Sequence, residues 1–582
     1  MIERKMLAKV YMGMVFHDHE VEVAVLENET TETISLRLPQ ERVDQYILNF
    51  LREYREKHHV KCIGIGISGD DKTRTIRALL WFEEDVVPFS FISTDAAEIA
   101  RLVKESFTDD GIAKVTIQDG HEVVVSFLAT LEDYKKTVSE SAFKQIEVLA
   151  KDFTGKRISY FSATPQGGGV AIMRHALIRF FRLLGVDAHW YVLDNNLEAF
   201  QITKEKFHDI LQAVAPPKTQ LTPSDITVYD QWIAKNAAEL HDVFTKSDIV
   251  VLDDPQPSGL GPYITKVNPQ AKLIYRSHIQ IEADLANTPQ TPQHEVWQFM
   301  WEHLKDISCF ISHPIAGFVP IDVPEEKVVF MPPSTDPLDG LNKWLFDWQE
   351  EYYFDLFNDI LQRNGQTPLD ATRSYIIEIA RFDPSKGIPD VLEAYERLYM
   401  RLKEEGKAIP QLIITGNPAE DDPEGIPIYN ETLATIATPR YEYLRGDIKV
   451  VQLPPIDQLL NTLVRKSFIV LQLSHKEGYE FKVTEALAKA KPVIAYRAGG
   501  IPLQIQDGVT GYLINVGDFA GVSEKLYILS TDAQIYQKIS DNAARLYNKE
   551  VATIPNATKW LFLAKQLLEQ GKITDKNLPK GY

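Results

Sequence analysis

From residue 157 onward, short apolar runs alternate with amphipathic helical runs, and this alternation restricts the chain to a parallel α/β architecture. Residues 157–163 predict a strand, residues 170–184 a helix and residues 187–193 the next strand. The apolar residues of the helix recur at steps of three and four, which gives the helix one buried face: Val170, Met173, Leu177, Phe181 and Leu184. Because Gly185 follows directly as a stop signal, we predict a doubly wound lobe here.

The order of the predicted elements divides the chain into four segments. Residues 1–150 open with three strand-like runs and continue with alternating helix and strand, which predicts a self-contained α/β unit with a dimerisation or regulatory role. Residues 151–336 form a first lobe, and residues 337–548 form a second lobe of the same kind, reached through a helical connector. Residues 549–582 predict a C-terminal helix that packs back across the lobes.

The net charge limits the possible ligands. Sixty-two basic residues against 82 acidic residues give a formal charge of −20, and a field of this sign repels nucleic acid and anionic membranes. We therefore expect neither as a partner. An anionic substrate would need a local cluster of cations.

Several features favour a cytoplasmic location. The two cysteines, Cys62 and Cys309, are too few for a disulfide framework and fit a reducing compartment. The chain contains no run that approaches the roughly 18 apolar residues needed to cross a bilayer. Residues 1–14 mix charges into their apolar stretch and show no small-residue cleavage site, so we expect no secretory signal.

A glycine-rich loop at residues 165–169 follows a predicted strand and precedes a predicted helix. Its glycines, Gly167, Gly168 and Gly169, allow backbone N–H groups to approach a ligand closely, and the helix N-terminus behind them favours an anion. A plain tight turn is the alternative, since loops between strand and helix are often rich in glycine.

The candidate cation cluster is Arg381 with Lys386. Both side chains lie directly after a predicted strand, at the sheet edge where open α/β sheets bind ligands. The planar fork of arginine and the compact charge of lysine suit a phosphate. The alternative is an exposed pair on a loop.

Polar residues follow three further predicted strands. Glu477 comes after an apolar run and faces the same sheet edge, whereas Glu485 falls in the first turn of the next helix and could merely complement the helix dipole. In the first lobe, Asp254 and His278 each follow a buried strand. An isolated histidine is more often structural than catalytic, but two polar clusters at adjacent strand ends favour a sugar site.

Residues 64–69 match the dinucleotide fingerprint Gly-x-Gly-x-x-Gly literally. However, Gly64 and Gly66 alternate with isoleucine inside a predicted strand and do not form a loop. We therefore expect no nicotinamide or flavin site here.

Taken in order, these motifs resemble retaining glycosyltransferases of family 4, which have the GT-B fold. Residues 162–170, 253–260, 275–278, 379–389, 453–461 and 477–487 are similar to fungal-type retaining trehalose phosphorylases, with nucleotide-sugar trehalose synthases as close relatives. The resemblance implies an α/β protein of two facing Rossmann-like lobes with an extra N-terminal α/β domain. It places the acceptor on the first lobe and the donor and phosphate on the second.

The resemblance also implies roles for particular residues. The catalytic residues would be Arg381, Lys386, Glu477 and His278. The phosphate or donor would be held by Gly167, Gly168, Gly169, Arg381, Lys386, Lys482, Val483, Thr484 and Glu485. The sugar would be held by Asp254, His278, Glu477 and Gly478.

The expected reaction is reversible phosphorolysis of α,α-trehalose to α-glucose 1-phosphate and glucose, with retained configuration, inorganic phosphate as substrate, no metal and a homodimeric enzyme. One alternative is glucosyl transfer from UDP-glucose or ADP-glucose to glucose, and another is an inactive sugar-binding regulator. The synthases read Glu-Gly-Phe-Gly where this chain has Glu477 to Glu480, followed by Lys482. A carboxylate there would repel a β-phosphate, and Lys482 could serve a single phosphate, which favours phosphorolysis.

Overall fold

The structure is a computed structural model that describes residues 6–69, 73–417 and 425–580. The first five residues of the stretch considered for a secretory signal lie outside these ranges. Three sheets organise the fold, and one lies in the N-terminal segment and one in each of two lobes. Within these ranges no helix combines the length and apolar composition needed to span a bilayer.

The N-terminal unit is built on a five-stranded sheet of order β3-β2-β1-β4-β5. Strand β2 pairs antiparallel with both β1 and β3, and β4 and β5 continue the sheet from β1 in parallel. Its elements are β1 Ala8–Phe16, β2 Glu20–Glu27, β3 Thr30–Arg37, α1 Val43–His58, β4 Val60–Ser68, α2 Arg74–Glu83, β5 Val87–Phe91 and α3 Ala96–Glu105. Helices α1 and α2 pack on one face of the sheet and α3 packs on the other.

The dinucleotide-like motif, except its last residue Gly69, is part of strand β4, as the sequence predicted. A side chain at Gly64 would collide with Phe107, and a side chain at Gly66 would collide with Ile99 of α3. These glycines therefore serve the close packing of a helix on the sheet, which explains the spacing without a cofactor.

Lobe one contains an eight-stranded sheet of order β13-β12-β11-β10-β8-β9-β7-β6. Its strands are β6 Ile117–Gln118, β7 Glu122–Val123, β8 Arg157–Ser162, β9 Asp187–Val192, β10 Ile249–Asp253, β11 Lys272–Arg276, β12 Cys309–Ser312 and β13 Val328–Phe330. Its helices are α4 Leu131–Lys135, α5 Glu140–Lys151, α6 Gly169–Leu183, α7 Leu197–Ile202, α8 Asp209–Leu211, α9 Pro223–Glu239, α10 His241–Lys246, α11 Gly261–Val267, α12 Ala283–Ala286 and α13 Pro292–Leu304. Strands β8 to β13 pair in parallel, which is the doubly wound pattern expected from the alternation.

Strands β6 and β7 differ from the sequence analysis, which grouped residues 112–126 with the N-terminal unit. Glu122 of β7 pairs with Tyr191 of β9, so this hairpin extends the sheet of lobe one. Tyr191 lies about seventy positions after Glu122 in the chain, and no local sequence pattern predicts that the two residues pair. The boundary at residue 150 thus cuts between segments that share a sheet.

Lobe two contains an all-parallel six-stranded sheet of order β16-β15-β14-β17-β18-β19. A connector, residues 331–363, leads to it and contains α14 Asp347–Arg363. The elements of the lobe are β14 Tyr375–Ile379, α15 Ile388–Glu404, β15 Gln411–Gly416, α16 Gly425–Ile436, β16 Ile448–Gln452, α17 Asp457–Lys466, β17 Ile469–Gln472, α18 Lys482–Ala488, β18 Val493–Tyr496, β19 Gly511–Ile514, α19 Phe519–Thr531 and α20 Ala533–Leu546.

The last helix, α21 Thr553–Gln570, returns from lobe two to lobe one. It packs beside α5 and α6, and Trp560 and Leu561 are buried in the core of lobe one. Each lobe therefore contributes to a continuous scaffold, and the carboxyl ends of both parallel sheets meet at one cleft.

Candidate active site

A cleft of about 290 Å³ lies between the two lobes, at the carboxyl ends of their parallel strands. This is the position at which open α/β sheets bind ligands. The predicted site residues that border it are Gly167, Gly168, Gly169, Asp254, His278, Arg381, Lys386, Glu477, Gly478, Lys482 and Glu485. The structure thus brings together motifs from Gly167 to Glu485, which lie far apart in the chain.

The glycine loop joins β8 to the first turn of α6. Gly167 has a left-handed backbone, with φ at 89°, and Gly168 is the extended residue that precedes the helix. A Cβ atom on Gly168 would meet open space, whereas one on Gly169 would lie 2.8 Å from the ring of Phe481 in lobe two. Gly169 is therefore needed because the two lobes approach each other at this point.

The Arg381 and Lys386 loop follows strand β14. Asp383 organises it, since its Oδ1 accepts hydrogen bonds from the N–H of Ser385 at 2.8 Å and from its hydroxyl at 2.6 Å. The Arg381 side chain remains 39% exposed, but Lys386 is only 6% exposed. The two cations thus differ in exposure, because Arg381 faces the open cleft and Lys386 is enclosed by lobe two.

The ammonium of Lys386 binds two carboxylates, those of Glu477 and Glu480. Burial acts to lower the pKa of Lys386, but the two carboxylates outweigh it and raise the pKa above its ordinary value. Burial likewise acts against ionisation of Glu480, but Lys482 and Lys386 hold its pKa at about 2. Lys386 and Glu480 are therefore both charged at neutral pH.

Glu477 and Gly478 lie where lobe two touches lobe one. The backbone N–H of Glu477 donates to Oε1 of Gln280 at 2.9 Å. A side chain at Gly478 would collide with the backbone carbonyl of His278, so only glycine allows this approach. The loop that carries Glu477 is thereby positioned by the opposite lobe.

His278 is anchored by the two aspartates at the end of β10. Its backbone N–H donates to Oδ1 of Asp254 at 2.7 Å, and its Nε2 lies 2.8 Å from Oδ1 of Asp253. Burial lowers the pKa of His278 to about 4, so the ring is neutral near pH 7. If Nε2 carries the proton toward Asp253, Nδ1 is an acceptor, and this buried atom has no hydrogen-bond partner among the described residues.

The sequence analysis placed Asp253 in a polar run at a strand end without assigning it a role, and it missed Arg174. The guanidinium of Arg174 donates to both carboxylate oxygens of Asp253 at 2.6 Å. Burial opposes ionisation of Asp253, but Arg174 and His278 hold its pKa at about 2. Asp253 therefore orients His278, while Asp254 supports its backbone. Arg174 lies in the middle of a helix, where nothing in the local sequence marks it.

Lys204 is another residue that the sequence did not reveal. It lies in a π-helix, Thr203–His208, a form that often marks functional sites. Its ammonium is 3.0 Å from Asp209 and 3.0 Å from Asp383, so it links lobe one to the loop of Arg381 and Lys386.

The residues of helix α18 make mainly protein contacts. The hydroxyl of Thr484 donates to Gln504 at 2.8 Å, and Val483 is buried in the core of lobe two. Glu485 accepts hydrogen bonds from Thr335 at 2.9 Å and Asn342 at 3.1 Å in the connector. The donor-binding role of these residues stays a prediction.

A possible metal-binding group lies outside the cleft, within the described part of lobe one. It consists of His121, Asp194 and Glu239, whose ligand atoms lie within 4.8 Å of one another. Lys235 already pairs with Asp194, so a cation is present at this group without a metal.

Three family descriptions match the chain. They are "Trehalose phosphorylase-like, N-terminal domain" over residues 2–161, "Trehalose synthase, N-terminal domain" over residues 160–320 and "Glycosyl transferases group 1" over residues 362–546. A solved trehalose-6-phosphate synthase has the same fold, with a TM-score of 0.57 at 14% identity over 71% of this chain and 99% of that chain. The two facing lobes with their shared cleft therefore have the GT-B fold of glycosyltransferases, here with an extra N-terminal domain.

Among curated proteins, a trehalose phosphorylase from Pleurotus pulmonarius is 43% identical over 78% of this chain and 62% of its own length. A trehalose synthase from Thermococcus litoralis is 34% identical over 71% of this chain and 91% of its own length. The chain belongs to the family of trehalose synthases and trehalose phosphorylases. It spans about 62% of the length of the trehalose phosphorylases that it matches.

Proposed function

We propose that this protein catalyses the reversible phosphorolysis of α,α-trehalose to α-glucose 1-phosphate and glucose, with the anomeric configuration retained. The observation that carries the proposal is the placement of Glu480, whose carboxylate lies 3.3 Å from Lys386 and 3.4 Å from Lys482. An ionised carboxylate between these two lysines leaves little net positive charge for a diphosphate. Together with Arg381, these groups leave enough positive charge to bind one inorganic phosphate.

The similarity to known proteins supports the same choice. Three trehalose phosphorylases are 42 to 43% identical to this chain, whereas the trehalose synthases are 27 to 34% identical. Several motif residues that carried the resemblance, among them the glycine loop, Arg381 and Glu477, border the cleft.

The proposed chemistry is a same-face substitution at the anomeric carbon. The bond between that carbon and the bridging oxygen of trehalose breaks, a phosphate oxygen bonds to the same face, and the phosphate proton passes to the departing glucose oxygen. Arg381, Lys386 and the N–H groups of Gly167–Gly169 would hold the phosphate where charge develops. In the synthetic direction the phosphate accepts the proton of the acceptor hydroxyl.

His278 and Glu477 would hold the reacting sugar. The neutral ring of His278 offers Nδ1 as an acceptor to a sugar hydroxyl, and Asp254 borders the same part of the cleft. The contact between Gly478 and the His278 carbonyl closes the lobes around this position. Closure excludes water, which would suppress hydrolysis of trehalose.

The deciding assay incubates the purified protein with trehalose and inorganic phosphate and measures glucose 1-phosphate. We expect product of the α configuration, identified by proton NMR, and an unchanged rate after EDTA treatment because the cations come from side chains. Product of the β configuration would contradict retention, and a rate that falls with EDTA and recovers with a divalent ion would contradict metal independence.

The second candidate is glucosyl transfer from a nucleotide diphosphate-glucose to glucose. It is favoured by the match to trehalose synthases over nine-tenths of their length and by the extension of the cleft past Glu485 to Asn461 and Lys489. Trehalose formed from UDP-glucose or ADP-glucose, with no phosphorolysis, would establish it. Absence of both activities in a protein that binds trehalose would point to a regulator.

We further propose a cytoplasmic homodimer that binds trehalose, glucose, glucose 1-phosphate and phosphate, without nucleic acid or membrane partners. Light scattering coupled to gel filtration measures the mass in solution. A mass of one chain, 66.2 kDa, would exclude the dimer.

A further inference from the structure

A second cavity of about 270 Å³ lies where the N-terminal unit, lobe one, the connector and lobe two meet. Each part of the protein contributes to its wall: Phe107 from the N-terminal unit, Ala176 from α6, Tyr352 from α14 and Gln458 from α17. Gly167 borders both this cavity and the cleft. The second cavity therefore lies behind the glycine loop, and the proposed phosphorolysis makes no use of it.

The polar wall of the second cavity contains an unsatisfied carboxyl group. Oδ1 of Asp339 accepts hydrogen bonds from the backbone N–H of Asn342 at 3.0 Å and from its side-chain amide at 3.1 Å. Oδ2 is buried and has no partner in the described part of the chain, although Asp339 is only 7% exposed. A buried polar atom without a hydrogen-bond partner destabilises the folded protein. This atom is thus placed to form a hydrogen bond with a bound molecule.

A second unsatisfied atom borders the same space. Oδ1 of Asn417 is buried and also lacks a hydrogen-bond partner within the described ranges. Asn417 lines both the second cavity and the cleft. Two buried oxygens, one in the connector and one in lobe two, therefore border the same cavity.

The charges around the second cavity do not favour an anion. The ammonium of Lys9 donates to the carbonyl of Asp110 at 2.7 Å. The guanidinium of Arg179 is engaged by Asp336 at 3.1 Å and by the carbonyl of Ser126 at 2.9 Å. Lys9 and Arg179 therefore already have hydrogen-bond or ion-pair partners within the protein.

The buried carboxyl groups of the wall do not favour a cation either, and the ionised one, Asp85, is already paired with Lys343 and Lys61. Burial raises the pKa of Asp339 well above its ordinary value and raises that of Asp457 to about 7. Asp457 is therefore largely protonated in weakly acidic solution, and burial likewise favours the neutral form of Asp339. A hydroxyl group can donate to or accept from such a wall.

The rest of the wall is apolar and aromatic, with Trp81, Phe107 and Tyr352 among its residues. A largely apolar pocket with a few convergent polar groups is the usual form of a small-molecule site. We propose that the second cavity binds a neutral sugar or polyol of monosaccharide size, whose hydroxyl groups hydrogen-bond Oδ2 of Asp339 and Oδ1 of Asn417.

The test counts bound glucose by equilibrium dialysis with radiolabelled sugar. Ala176→Leu and Ala113→Phe each place side-chain volume in the second cavity from a different wall. Ala434→Leu, on an exposed position of α16, is the matched control. We expect each filling variant to bind one equivalent of glucose fewer than the wild type and the control. Equal numbers in all four proteins would overturn the proposal.

Two further measurements keep the result decisive. Inorganic phosphate should leave the additional equivalent in place, and displacement by phosphate would refute a neutral ligand class. A crystal structure of the wild type with saturating glucose should show the sugar beside Asp339, and water alone at that position would also refute the proposal. Neither depends on a variant that has to fold.

This inference is independent of the proposed phosphorolysis. Turnover with trehalose and phosphate, measured on the same samples, reports on the cleft alone. If the protein shows no turnover but the filling variants still bind less glucose than the wild type, the proposed function is refuted and the second site is supported. If turnover is normal but the variants bind as much glucose as the wild type, the second site is refuted and the proposed function is supported.

Discussion

The Nζ atom of Lys204 in lobe one lies 3.0 Å from a carboxylate oxygen of Asp383 in lobe two, so a buried ion pair spans the cleft. Burial alone would raise the pKa of Asp383, but Lys204 and Arg381 hold it far below the ordinary value. Asp383 in turn binds Ser385 and shapes the loop that carries Arg381 and Lys386. Lobe one therefore helps to position the predicted phosphate site of lobe two.

Replacement of Lys204 tests this link. In Lys204→Met the carboxylate of Asp383 loses its partner across the cleft and keeps Arg381 at 3.9 Å, and breaking a buried ion pair costs up to about 3–5 kcal/mol. We expect kcat/KM for phosphate to fall about a hundredfold, since small misplacements of a catalytic loop have effects of this size. Lys246→Met, at an exposed lysine of lobe one, should behave like the wild type. Steady-state kinetics with varied phosphate decide, and equal kinetics for both variants would contradict the positioning role.

The glycine loop allows a contrast between neighbouring positions. A methyl group at Gly169 would lie 2.8 Å from the Phe481 ring, and a methyl group at Gly168 would meet open space. We expect Gly169→Ala to lower turnover and the melting temperature, because overpacking costs roughly 1–3 kcal/mol. Gly168→Ala should have a much smaller effect. If the second substitution Phe481→Leu restores the turnover and melting temperature of Gly169→Ala, the clash with the Phe481 ring is the cause. If it does not restore them, that clash is not the cause.

The two predicted phosphate ligands should respond differently to removal. Arg381 is 39% exposed, so Arg381→Ala should reduce turnover by about 10²–10³-fold without changing the melting temperature. Lys386→Ala should cause a similar loss and also lower the melting temperature, because Glu477 and Glu480 lose their buried partner. Arg445→Ala, at an exposed position of lobe two, is the control. Turnover at the wild-type level in Arg381→Ala and Lys386→Ala would refute the phosphate role.

Asp457 should make stability depend on pH. Burial and then the nearby Glu485 raise its pKa to about 7 from an ordinary value of 3.8. Between these two values the folded protein holds a proton that the unfolded chain releases, so stability falls as pH rises from about 4 to about 7. The total effect is about 4 kcal/mol at most, given about 1.4 kcal/mol for each pH unit. Urea unfolding across this range should show a steeper decline for the wild type than for Asp457→Asn, and parallel curves would contradict the assignment.

The N-terminal unit is attached to the connector through Asp85. Its carboxylate lies 2.6 Å from Lys343 and 3.2 Å from Lys61, and it accepts hydrogen bonds from Tyr353 and Gln458. Burial opposes its ionisation, but Lys343 and Lys61 hold its pKa at about 2.

Asp85→Ala leaves two buried ammonium groups without a carboxylate, at a cost of about 3–5 kcal/mol. We expect a lower melting temperature and faster proteolysis between the N-terminal unit and lobe one. Asp18→Ala, on the exposed surface of the same unit, should melt like the wild type. Limited proteolysis followed by mass spectrometry locates the cleavage, and an unchanged pattern in Asp85→Ala would show that the unit is held by other contacts.

Local sequence patterns were sufficient to predict the two doubly wound lobes and most of the strand ends that border the cleft. The periodicity of α6, the glycine loop before it and the Arg381 to Lys386 segment are each contained within about twenty residues, so their structural meaning can be inferred without knowledge of the fold. The same holds for strand β4, which the alternation of glycine with isoleucine predicted.

The amino-acid sequence by itself thus determined the lobes, the family and the segments that meet at the cleft. Only the tertiary structure decided which side chains form ion pairs at the cleft. Arg174 pairs with Asp253, Lys204 pairs with Asp383, and Glu480 lies between Lys386 and Lys482. It also decided that strands β6 and β7 join the sheet of lobe one. The physical reason is that burial and ion pairing depend on distances between residues far apart in the chain. Hydrophobic periodicity and turn chemistry, in contrast, act between near neighbours and can be recognised in the sequence.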